Sequence, residues 1–160
     1  MNYNAYGDTV DDLHYHPTDL YEAIQPYDDP REFLISEPVF EVLRAARRED
    51  SELAADIKPA FASDAAALYV LPDAAWSRRV HGVFGNELAR AHHERAHAVL
   101  VAHADGFAVS VRAPMSAPQG AGNLCLQFES GGGREGAGGI NHLPAERLDA
   151  FIDAFRSAWI

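Results

Sequence analysis

Six glycines fall within nine consecutive positions of the stretch Gly131-Gly132-Gly133-Arg134-Glu135-Gly136-Ala137-Gly138-Gly139-Ile140-Asn141, and no ordinary helix or strand is expected to tolerate them. Inside a helix each glycine costs about 1 kcal/mol against alanine, so such a run exists for backbone shape. A chain without Cβ atoms can reach positive φ and align successive N–H groups into a concave nest that suits anions. Arg134 adds a planar, permanently charged fork. The expectation is a loop that cradles phosphate or carboxylate with Gly131, Gly132, Gly133 and Arg134. A ligand-free flexible loop is the alternative. The patterned elements on both sides, and an arginine where a linker would carry serine, argue against it.

Any such cradle must be local, because the chain carries a net charge of −11 and lacks the clustered basic residues of a general duplex nucleic-acid binder. Most carboxylates crowd into the first sixty residues, whereas Arg78, Arg79, Arg90, Arg95, Arg112 and Arg134 lie in the remainder. At 160 residues and 48% hydrophobic, the chain is about one domain long and can bury a core. No run of eighteen apolar residues occurs and the first twenty residues are polar and acidic, so neither a membrane span nor a signal peptide is expected, and the expected location is cytoplasmic. Cys125 is the single cysteine; between Leu124 and Leu126 it reads as a small core residue.

Residues 1–36 read as an irregular, linker-like leader rich in aspartate and tyrosine, broken by Pro17, Pro26 and Pro30, with two helical turns over Thr18 to Ile24. His14 and His16 share a face if extended and, with nearby aspartates, offer a weak metal-site alternative to a solvated segment. Residues 37–160 read as an α/β domain. Val39, Val42, Leu43 and Ala46 predict a helix over Glu37 to Ile57, and Trp76, Val80, Val83, Phe84 and Leu88 a second over Ala74 to Ala91, capped by Asp73. Strands are predicted over 65–71, 96–102 and 107–111, the last two joined as a hairpin through Ala104-Asp105-Gly106. Alternation puts Ser110 and Arg112 on one face of the third strand and Val109 and Val111 on the other. A short helix over Gly120 to Phe128 and a last one over Pro144 to Ala158 complete a single domain: a central mixed β-sheet of about four to five strands flanked by helices.

Two motifs match by accident. His93-Glu94-Arg95-Ala96-His97 fits H-E-x-x-H, but it straddles a helix end and a strand start, so the two histidines cannot share a helical face. Gly131, Gly133 and Gly136 satisfy G-x-G-x-x-G, yet too little chain follows for a dinucleotide fold.

Val109-Ser110-Val111-Arg112-Ala113-Pro114, then Gly131-Gly132-Gly133-Arg134 and Ala137-Gly138-Gly139-Ile140-Asn141, resemble the DHH-associated C-terminal domain of the DHH phosphoesterases. Asn2-Tyr3-Asn4, Asp12-Leu13-His14-Tyr15-His16-Pro17, Leu71-Pro72-Asp73, Trp76-Ser77-Arg78-Arg79-Val80 and Val83-Phe84-Gly85-Asn86 extend the resemblance, to a bacterial branch, over nearly the whole chain. The resemblance implies that the Ser-x-Arg strand end and the glycine stretch hold the phosphate of a nucleotide or short oligonucleotide. Ser110, Arg112, Gly131, Gly132, Gly133 and Arg134, with Arg78, Arg79 and Asn86, are then the substrate-binding set. Arg134 stands where the commoner form has histidine, and Gly138 where Ala-Ala-Gly is usual. The Asp-His-His triplet and its manganese ligands are not in this chain: His92-His93 follows Ala91.

The expected function is therefore that of a substrate-binding domain without hydrolytic activity or cofactor of its own. Manganese is expected only in a DHH catalytic domain, joined in cis or supplied in trans. A stand-alone metal-dependent hydrolase or acyltransferase is one alternative, and a non-catalytic interaction module the other. The tyrosine-rich leader and an exposed sheet edge allow a homodimer.

Overall fold

A computed structural model describes residues 2–160, without the side chain of Asn2. Six strands form one mixed sheet: β1 (Phe61–Ala62), β2 (Ala66–Leu71), β3 (Ala96–His103), β4 (Gly106–Arg112), β5 (Gly131–Arg134) and β6 (Ala137–Pro144), in the order β1-β2-β3-β4-β6-β5. Only β2 and β3 run parallel, and the helix between them supplies the crossover; every other pair is antiparallel. The strand count exceeds the expected four to five because the two-residue β1 and the glycine-rich β5 carry no strand-like pattern.

Six helices flank the sheet: α1 (Pro17–Ile24), α2 (Pro30–Ser36), α3 (Pro38–Ala55), α4 (Ala75–Ala91), α5 (Ala121–Cys125) and α6 (Leu148–Trp159). The first three each begin with proline, whose fixed φ suits a first helical turn. His16 Nδ1 and Asp29 Oδ1 accept from the freed amides of Thr18 and Arg31. Asp73 does not cap α4 as expected. Ala74 holds that position, and the Asp73 carboxylate accepts from Arg78 Nη1 at 2.6 Å instead.

Strand alternation divides the core. Ala98, Leu100, Val109, Val111 and Ile140 face α5 and α6, where Phe151 and Phe155 are fully buried. Ala67, Tyr69, Leu71, Val99 and Val101 face α3 and α4. The leader is folded onto this second layer. Asn4 ties its two 3-10 turns together, accepting from His14 and Tyr15 amides and donating to the Tyr15 carbonyl, and Tyr3 is buried against α3 and α4.

The glycine stretch is a β-hairpin rather than a loop, which corrects the expected nest. The peptide groups of β6 pair on both sides, with β4 and β5, and β5 pairs with β6 along its length. A paired strand turns alternate residues toward its neighbour, so no run of successive free amides forms. The glycines are required because α5 lies directly on the hairpin. A Cβ at Gly131 would sit 1.8 Å from the Cys125 carbonyl oxygen, and one at Gly138 would sit 2.6 Å from that of Ala121. The hairpin turn is held by its own carbonyls, Gly136 accepting from the Ala113 amide and Glu135 from that of Ala121.

Candidate phosphate site

On the opposite face of the hairpin the sheet is left open. Register places His97, Arg112, Ala137 and Arg134 in one row across β3, β4, β6 and β5, and Val99, Ser110, Gly139 and Gly132 in the next. Arg112 and Arg134 thus rise from the same face two strands apart, about 10 Å at their roots, with only Ala137 between. Gly139 and Gly132 make the adjoining floor bare backbone; a Cβ on Gly132 would meet nothing within 4 Å.

Arg112 is half-buried and rigidly placed. Its Nε donates to Asn86 Oδ1 at 2.8 Å, and its Nη1 to Ser110 Oγ at 2.9 Å and the Val111 carbonyl at 3.0 Å. Three of its five donors are spent on neutral acceptors, which leaves both Nη2 protons. Among the described residues it faces no carboxylate within ion-pair distance, and neither does Arg134. Burial, followed by the nearby Arg134 charge, lowers the Arg112 pKa, the signature of a cation without its counter-ion.

Two clefts meet at Asn86 and Arg112. One, of about 530 Å³, also takes in Arg90, Arg134, Met115 and Pro118. The other, of about 870 Å³, runs between α3, α4 and the sheet past Ser110, Gly138 and Asn141. Ser110, Arg112, Arg134 and Asn86 are therefore brought together. Gly132 belongs to the open floor, whereas Gly131 faces α5. Gly133, at φ 150°, shares the Gly131 side of the hairpin by strand alternation.

Arg78 and Arg79 are employed elsewhere. Arg79 grips Asp50 through Nε (2.8 Å) and Nη2 (3.2 Å) and donates from Nη1 to the Asp12 carbonyl, while the Tyr3 hydroxyl bonds the same carboxylate. Burial and Asp50 raise the Tyr3 pKa well above the usual phenol range. Arg78 reaches the rim of the larger cleft but is surrounded by Asp8, Asp12 and Asp73 at 2.6–3.3 Å. The acidic leader and the basic start of α4 thus neutralise one another. Asn4, Asp12, His14 and Arg79, which carry much of the upstream resemblance, build this clamp rather than the open face.

His14 and His16 are engaged separately: His14 Nε2 lies 2.9 Å from the Tyr3 hydroxyl and His16 caps α1. No cluster of three potential metal ligands occurs among the described residues. His97 and His93 are separated by the α4–β3 boundary, and His97 is fully buried. Cleft residues that sequence reading missed include Phe40, Arg44 and Arg47 on α3 and Arg90 on α4; the i, i+4, i+7 spacing of the first three was the available signal. No helix among the described residues is long and apolar enough to cross a membrane.

No protein-family profile matches the sequence, and no curated protein does. Among solved structures, RecJ from Thermus thermophilus matches in its Mg²⁺ and Mn²⁺ complexes, with TM-scores of 0.61 and 0.62 and identities of 18% and 16%. These alignments cover 82% and 98% of this chain but only 21% and 25% of RecJ. The pGpG-specific phosphodiesterase PggH from Vibrio cholerae matches with a TM-score of 0.52 and 14% identity, over 91% of this chain and 53% of PggH. The chain spans about a fifth to a half of these proteins, and at such identities the likeness is one of fold. By fold, then, the chain is similar to a part of RecJ and a part of PggH, and it is fold alone that the likeness shows.

Proposed function

We propose that the chain positions the phosphate of a phosphorylated nucleotide or short oligonucleotide on the open face beside Arg112. One observation carries this reading: a half-buried guanidinium, aimed by Asn86 and Ser110, with two unused donors and no carboxylate, in a chain of net charge −11. A bare cation in such surroundings costs solvation free energy that a bound oxyanion returns, and the planar fork matches two phosphate oxygens. Arg134 supplies a second charge from across the row, and the side-chain-free floor of Gly132 and Gly139 lets a phosphate approach the sheet.

The ligand is thus gripped through the sheet face and its arginines, not through a nest of loop amides. In this reading bond cleavage, with its manganese, belongs to a DHH catalytic domain joined in cis or supplied in trans, and this chain contributes orientation through remote contacts. Titration calorimetry with 5′-phosphorylated dinucleotides such as pGpG should give binding that Arg112→Ala weakens about 10- to 100-fold, the loss of a charge-assisted pair. Equal affinity in the wild type and the variant, or no binding at millimolar ligand, refutes the proposal.

A further inference from the structure

We infer that the larger cleft is a nucleobase subsite, in which Tyr6 stacks on a base of a single-stranded ligand whose phosphate lies at Arg112; this rests on the phosphate reading of that arginine. A phosphate alone fills little of a space of about 870 Å³, which lies near the top of the roughly 300–1,000 Å³ range of small-molecule sites. The cleft begins at Asn86 and Arg112, so a ligand anchored there enters it without a gap.

Its walls carry aromatic and basic groups together. Tyr6 lines the cleft while 52% exposed, and among the described residues its ring stacks on no other aromatic. Phe40 adds a second aromatic surface from α3. Arg44 and Arg47, one turn apart on that helix, line the same space and hold only exposed partners, Glu41 at 3.0 Å and Glu87 at 3.9 Å. Exposed pairs of this kind are worth little and exchange readily for a backbone phosphate. Aromatic platforms interleaved with arginines recognise single strands, whose bases have free π-faces.

Gly82 is the independent observation. It lies inside α4, where glycine is unfavourable, and it lines the cleft. A Cβ there would meet nothing within 4 Å, so no protein contact requires its absence. The missing side chain keeps the helix wall recessed where a flat ring would lie.

Calorimetry with pGpG and with its doubly abasic counterpart, which keeps both phosphates, separates the two readings. The base-bearing ligand should bind about tenfold or more tightly than the abasic one. Tyr6→Ala and Gly82→Leu should each erase most of that difference and leave abasic binding unchanged. Leucine at 82 favours the helix and projects into open space, so the variant folds. Equal binding of the two ligands, with Arg112→Ala weakening both, overturns the base subsite and leaves the phosphate site standing. Discrimination retained in both variants overturns it too, and absence of binding by either ligand overturns both readings.

Discussion

Lowering the pH from 7 to 4 should unsettle this fold through one residue. His97 stands on β3 beside Arg112, is 0% exposed, and its ring nitrogens make no hydrogen bond of good geometry, a marginal contact to the Arg95 backbone aside. Burial, reinforced by the charges of His92 and Arg95, pushes its pKa from 6.5 down to about 4. Between those values the unfolded chain takes up a proton that the folded chain refuses, so stability falls as the pH falls. The contribution is fully present above pH 6.5 and gone below about pH 4. At 1.36 kcal/mol per pH unit, the whole window is worth about 3 kcal/mol. Urea unfolding of the wild type and of His97→Leu, at half-unit steps from pH 7 to pH 4, measures it. Every other titratable group is common to both proteins, so the difference between the curves reports His97 together with its coupling to His92. The wild type should lose about 3 kcal/mol relative to the variant across the window. Curves that stay parallel within about 0.5 kcal/mol would show that the imidazole is charged, or free to become charged, in the native core, and the reasoning fails.

Neighbouring glycines of the hairpin should respond oppositely to alanine. Gly131→Ala drives a Cβ into the Cys125 backbone and should cost about 3 kcal/mol by urea unfolding, whereas Gly132→Ala enters open space and should change stability by less than about 0.5 kcal/mol; similar costs would contradict the packing of α5. Asp50→Asn leaves Arg79 without its counter-charge at a site where both side chains are about 90% buried, and should cost about 3–5 kcal/mol; a loss under about 1 kcal/mol would show that the leader clamp is not needed. Burial pushes the Cys125 thiol up to about 11, so iodoacetamide at pH 8 should modify the native protein only as fast as it unfolds, and rapid labelling would place the thiol at the surface.

Much of the scaffold is legible in the sequence because its determinants are local. The apolar repeat of Val39, Leu43 and Ala46 marks α3, and alternation along β4 already separates Ser110 and Arg112 from Val109 and Val111. The glycine stretch is misread for the opposite reason. Glycine has no strand preference of its own, and what demands it at 131 and 138 is a helix that precedes the hairpin and lies against it. Arg79 is equally opaque: its partner Asp50 lies 29 residues away, and nothing local distinguishes an arginine destined for a buried pair from one left to meet a ligand. The difference between Arg78, ringed by three carboxylates, and Arg112, held by an amide and a hydroxyl, exists only once the chain has folded.

The leader's course over α3 and α4 carries a consequence for assembly. Tyr3 and Tyr6 line the larger cleft, so a module fused ahead of Tyr3 would be tethered next to residues that line it. Tethering at that point raises the local concentration of the attached module to the millimolar range for a short flexible connection, without any new surface having to evolve. Attachment after Ile160, beyond the helix that packs on the far side of the sheet, confers no such advantage.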